Sequence, residues 1–190
     1  MKSDTPPTAS QTAGPYFHLG CTEHSSVGTL VTPETRGERI RLTCRVFDGD
    51  DVPVPDAMIE LWQANAQGKY NHPEDPQLKA VDPAFCGFGR LATDENGVCT
   101  FATILPGRVP ANDGTLQAAH INVSVFARGV LKRLATRIYF AGDPALSSDP
   151  ILALAPSTRR NTLLAQQRGA GDWIFEVHLC GDNETIFFDV

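Results

Sequence analysis

A chain of 190 residues with 16 Lys and Arg against 22 Asp and Glu carries a formal charge of −6. The length suits one domain burying about 70% of its unfolded surface, and the acidic balance excludes a sequence-independent binder of phosphate backbones, which needs a basic face. With 16 Gly and 14 Pro the composition is too turn-rich for a helix bundle, yet well short of collagen-like or disordered chains.

The first ten residues are polar and lack the apolar core of a secretory signal, and the longest apolar run, Ile151 to Ala155, is far too short to span a bilayer. A cytoplasmic protein is predicted. Residues 1–30 read as an extended N-terminal arm and 31–190 as a single domain. In the arm, Gln11-Thr12-Ala13-Gly14-Pro15-Tyr16 is unusual for filler, because a Gly-Pro pair permits close backbone approach and then sets its direction.

Strand patterns follow. Ile40, Leu42, Cys44 and Val46 alternate with Arg41, Thr43 and Arg45 up to the turn Asp48-Gly49-Asp50. A second run covers 57–64. The stretch from Tyr70 to Gly89 has no period, and so long a loop inside a compact domain points to function. Asp94-Glu95-Asn96-Gly97 predicts a hairpin turn before a strand over 98–105. Ile121, Val123 and Val125 alternate with His120, Asn122 and Ser124. Further strands are expected over 134–141 and 173–179, with 185–190 closing an edge. Short helices are predicted over 149–154 and over 157–167, the second capped by Ser157. The fold class is therefore all-β: an antiparallel β-sandwich core with short helices and an extended arm. Five scattered cysteines (Cys21, Cys44, Cys86, Cys99 and Cys180) include no close pair, and read as small hydrophobes in a reducing compartment.

Few residues carry chemistry. His120 and position 122 share a strand face, where a second histidine would make a metal pair, but Asn122 is a neutral, weak donor. Tyr70 offers a hard oxygen donor, although most tyrosines are packing residues. Arg128, Lys132, Arg133 and Arg137 cluster, and a guanidinium there can grip a carboxylate bidentately.

Several strings occur in order along most of the chain: Gln11 to Tyr16, Ile59-Glu60-Leu61-Trp62-Gln63-Ala64-Asn65, Gly87-Phe88-Gly89-Arg90, Phe101 to Gly107, His120 to Gly129 and Thr136-Arg137-Ile138-Tyr139-Phe140. In this spacing the sequence resembles the intradiol ring-cleaving dioxygenases. The resemblance implies a β-sandwich enzyme of aromatic catabolism, on the β-ketoadipate route, that uses O2 and Fe(III) to open a catechol ring between its hydroxylated carbons. Family members that hold iron use two tyrosines and a His-x-His pair. Here those positions carry Tyr70, Val109, His120 and Asn122, so the resemblance implies vestigial ligand positions and no metal bound by this chain. It further implies a metal-free α-type subunit in an (αβ)n hetero-oligomer, with Fe(III) held by the partner β subunit and protocatechuate (3,4-dihydroxybenzoate) as substrate. No catalytic residue falls on this chain. Thr12, Gly14, Pro15 and Arg133 match positions that wall the β subunit's active site, with Arg128 and Arg137 as alternatives to Arg133. The competing expectation is a non-enzymatic, transthyretin-like β-sandwich binding module.

Overall fold

The computed structural model describes residues 8–111 and 113–189. Eight strands follow a short helical entry: β1 (Arg39–Phe47), β2 (Met58–Gln63), β3 (Phe88–Ala92), β4 (Val98–Ile104), β5 (His120–Phe126), β6 (Leu134–Phe140), β7 (Leu164–Gly169) and β8 (Asp172–His178). The all-β expectation holds. The strands hydrogen-bond as one eight-stranded sheet in the order β3-β2-β5-β6-β7-β8-β1-β4. Its weakest seam is β6–β7, joined only through Tyr139↔Leu164 and Phe140↔Ala165.

The sheet is mixed rather than antiparallel. β1 runs parallel to β8 from Arg41↔Asp172 to Phe47↔His178, and β6 runs parallel to β7. Parallel neighbours need long crossovers, which no local pattern reveals. The predicted hairpin is corrected in the same way. The turn exists, with the Gly97 N–H on the Asp94 carbonyl at 2.9 Å and Gly97 at a φ of 70°. Its two flanking strands, however, part company: β3 pairs with β2 and β4 with β1, at opposite edges of the sheet. Residues 27–31 bridge those edges. Val27 pairs with Arg90 of β3 and Thr29 with Ala102 of β4, so the end of the expected arm stitches the sheet almost into a barrel.

Two further expectations are corrected. The helix over 157–167 is a single 3₁₀ turn, Arg160–Leu163, followed directly by β7, because Ala165 is claimed by the core as a strand residue. The arm is not extended throughout: Pro15–His18 forms an α turn and Leu19–Glu23 a π turn. Residues 185–189 make one bridge, Ala135↔Phe188, rather than a full edge strand.

Alternating strand residues fill one core, including Leu42, Ile59, Phe101, Ile121, Ile138 and Phe175. A smaller cluster of Ala118, Tyr139, Leu152, Ala155 and Leu163 packs the 3₁₀ turns against β6. All five cysteines are free. Cys44 and Cys99 are buried register partners, whereas Cys86 and Cys180 are exposed, contrary to the buried reading. No helix among the described residues is long and apolar enough to cross a membrane.

Candidate functional site

The site is built at the end of β2. Gln63 is fully buried: its Nε2 donates to the Ile104 carbonyl (3.0 Å) and its Oε1 accepts from Thr103 (2.7 Å), tying β2 to β4. Asn65 then turns the chain, its Oδ1 accepting from the N–H groups of Gln67 (2.9 Å) and Lys69 (3.1 Å). The Asn65 carbonyl also takes the Gly107 N–H at 2.9 Å. Two glycines make this contact possible. A Cβ on Gly68, whose φ is 75°, would strike the Arg108 carbonyl, and one on Gly107 would strike the Gly68 amide. The interlocked loops present Tyr70 and Val109 to one cavity of about 440 Å³, lined also by Trp62 and His72. The long aperiodic stretch therefore does line a cavity. It is further held by a buried ion pair, Lys69 Nζ to Asp75 Oδ1 at 3.2 Å, and by the Tyr70 N–H on Asp75 Oδ2 at 2.9 Å.

Tyr70 stacks on Trp62, ring centroids 5.8 Å apart and 13° from parallel. Its hydroxyl accepts from Asn122 Nδ2 at 3.0 Å. Burial raises the Tyr70 pKa, against the opposing pull of the Asn122 hydrogen bond and the Arg137 charge. His120 is 3% exposed and its Nδ1 donates to the Ala118 carbonyl at 2.8 Å, which fixes the ring tautomer. Burial and then the Arg137 charge lower its pKa to about 4, outweighing the Ala118 contact and Asp149. The imidazole is thus neutral at ordinary pH.

The structure brings together Tyr70 and Asn122 by direct contact and Val109 through the shared cavity. His120 lies on the same strand face as Asn122, one residue pair along. This set does not fit the ferric ion that iron-holding members of the resembled family carry at these positions. Val109 is a hydrocarbon, buried to 4% exposure, the Asn122 amide spends its N–H on the phenol oxygen, and the phenol is biased toward its protonated form. Hard trivalent iron needs anionic oxygen donors. Among the described residues no three His, Cys, Asp or Glu side chains converge.

The arm residues sit elsewhere. Thr12 Oγ1 accepts the Gly129 N–H at 2.7 Å, and Phe17 packs on Phe126 at 5.5 Å, docking the arm on the end of β5. Ala13 and Gly14 border a cavity of about 340 Å³ whose arginine is Arg128. Arg133 faces a different cleft of about 370 Å³, shared with Arg137, Asn122 and Ser124. Of Pro15 only its place at the start of the α turn is described. Gly14 is exposed, with nothing within 4 Å of a built Cβ.

Sequence reasoning missed Asp149. It is 1% exposed and accepts from Ala118 N (2.7 Å), Tyr139 Oη (3.0 Å), Ile151 N (3.0 Å) and Leu152 N (2.6 Å). It thereby fixes the residue that orients His120. Its place at the start of the helix predicted over 149–154 was the one signal near it, and that says nothing of a partner on β6.

The fold and the aromatic-walled site place the chain among β-sheet proteins with a Tyr- and His-bearing cavity, and the comparisons give its class: the chain belongs to the intradiol dioxygenase family. The family's sequence model, described as Dioxygenase, matches residues 12–177. The chain is 37% identical to the protocatechuate 3,4-dioxygenase alpha chain of Burkholderia cepacia, over 96% of this chain and 97% of that one. It is 39% identical to the beta chain from the same organism, over 78% of this chain and 64% of that one. Among solved structures it is similar to the dioxygenase domain of a dioxygenase–carbohydrate-binding fusion from Streptomyces sp. SirexAA-E, with a TM-score of 0.63 and 27% identity, covering 93% and 99% of the two chains.

Proposed function

We propose that this chain is the α-type subunit of a protocatechuate 3,4-dioxygenase, acting in the cytoplasm with a β chain that holds Fe(III). The reaction breaks the bond between the two hydroxylated carbons of 3,4-dihydroxybenzoate, adds one oxygen atom of O2 to each of them, and so yields the two new carboxyl groups of 3-carboxy-cis,cis-muconate. The observation that carries this reading is the Asn122-to-Tyr70 hydrogen bond of 3.0 Å beside Val109: an amide closes onto the phenol where a second imidazole would be needed. End-to-end similarity to an alpha chain, against 64% coverage of a beta chain, supports it.

The iron of the partner supplies the activation of diol and O2. This chain supplies shape and charge. Residues 1–30 act as the arm of a body formed by 31–190, in which β3-β2-β5-β6 and β7-β8-β1-β4 serve as the facing layers of a β-sandwich. The Thr12 contact to Gly129 anchors the arm, and Gly14 and Pro15 then offer a small, stiff wall for a flat ring. Arg133, exposed on the β5–β6 connection, meets the substrate carboxylate. The assembly is an (αβ)n oligomer.

The test is purification alone and with the β chain. Alone, the chain carries no stoichiometric iron and no visible phenolate-to-iron absorption; with β, one iron per αβ pair and turnover appear. Tightly bound iron in the isolated chain overturns the proposal. Deleting residues 1–20 abolishes pairing and turnover, whereas retention of both favours a transthyretin-like binding module.

A further inference from the structure

The cavity of about 440 Å³ beside β2 is suited to a ligand of a kind quite different from iron. Its wall is aromatic. Trp62 and Tyr70 lie nearly parallel, and the His72 ring stands at 88° to Trp62 with centroids 6.2 Å apart, so two aromatic planes meet as a corner. Val109 and Pro110 extend that wall with hydrocarbon. The charge bordering the cavity is of one sign. Arginines border other clefts, at Arg36, Arg128, Arg133 and Arg168, whereas among the described residues no lysine or arginine borders this one. The ammonium of the adjoining Lys69 is spent on Asp75, donating to its carbonyl at 2.7 Å and lying 3.2 Å from its Oδ1. Asp75 is occupied in turn, accepting from the N–H groups of Tyr70 and Gln77, each at 2.9 Å. Glu74 is different. It is exposed, its own N–H donates to His72 Nδ1 at 3.2 Å, and among the described residues its carboxylate has no cationic partner.

We infer that this cavity binds a compact organic ammonium ion, with its cationic head against the corner of Trp62, Tyr70 and His72 and in the field of the Glu74 carboxylate. Aromatic faces carry a negative potential that attracts a cation, indole most of all, and aromatic planes set around one space receive quaternary ammonium groups. Such a head is weakly hydrated and apolar at its surface, so it also gains from Val109 and Pro110, where a small hydrated metal ion gains nothing. An anion is disfavoured, because it meets Glu74 with no cation to answer it. The residue that forbids hard-metal ligation therefore favours this occupant: Val109 offers hydrocarbon where iron needs an oxygen donor. The volume falls within the range of about 300–1,000 Å³ typical of small-molecule sites. The site needs no residue of a β chain.

Calorimetric titration of the full chain at pH 8 with choline and with 3,3-dimethyl-1-butanol, its uncharged isostere, tests the site. Choline binds with a Kd of about 1 mM, and the isostere at least about fivefold more weakly, since it keeps the shape and loses the charge. Trp62→Leu keeps apolar bulk, removes the indole face and weakens choline by about tenfold. Glu74→Gln weakens it by about threefold and makes the affinity less sensitive to salt, as loss of an exposed charge requires. Glu95→Gln, on the Asn-Gly turn, leaves choline binding unchanged. Thermal melts establish that each variant folds. If Trp62→Leu does not, His72→Ala at an exposed loop position removes the second aromatic plane and weakens choline by about threefold. Equal affinity for choline and its isostere, an effect of Glu95→Gln matching that of Glu74→Gln, unchanged choline affinity in the folded aromatic variant, or no binding at about 20 mM choline overturns the inference.

Discussion

His120 makes the stability of this protein pH-dependent in a way that can be calculated. Its ring is 3% exposed, and burial with the Arg137 charge lowers its pKa from 6.5 to about 4. The unfolded chain therefore takes up the proton more readily than the native one. The stabilisation is complete above about pH 6.5 and is lost as the pH falls toward 4. Applying the linkage relation to those two values, the loss between pH 7 and pH 5 is about 2 kcal/mol, and it approaches about 3 kcal/mol at lower pH. Urea unfolding at pH 7, 6 and 5 measures it, with His120→Gln as the reference that lacks the titrating group. The wild type should lose about 2 kcal/mol more than the variant over that range. Parallel pH dependences of wild type and variant would refute the assignment of a buried neutral imidazole.

Three further outcomes follow from the same geometry. Val109→Tyr combined with Asn122→His should confer ferric binding with a visible phenolate-to-iron band on the isolated chain, and neither single substitution should; metal analysis and absorption spectroscopy decide. Gly68→Ala should cost more than about 3 kcal/mol in denaturant unfolding, because a positive φ and the Arg108 carbonyl both oppose a Cβ. Asp149→Ala should cost about 3–5 kcal/mol by the same measurement, since it strands three backbone N–H groups and the Tyr139 hydroxyl without their buried acceptor.

Much of this molecule is written locally. The period-2 alternation over β1 and β5, the Asn-Gly turn and the proline-rich connections were enough for the all-β class, because each arises from side-chain direction and backbone preference within a few residues. The candidate ligand positions were legible through the family resemblance: it marked Tyr70, Val109, His120 and Asn122, and a hydrocarbon or an amide cannot become an anionic donor whatever the fold. What sequence could not hold is long-range pairing. That β3 and β4 leave one turn for opposite edges, that β1 lies parallel to β8, and that residues 27–31 close the gap between edges depend on contacts between segments far apart in the chain. Ala165 was read as helical because short apolar runs carry no decisive period; tertiary packing made it a strand. The same limit applies to function. The sequence by itself determined which side chains were present to hold a metal or a carboxylate. Only the tertiary structure decided that Asn122 caps Tyr70, that Asp149 fixes the loop orienting His120, and that Arg133 shares its cleft with Arg137 while Arg128 sides with the arm, because these contacts are made through space.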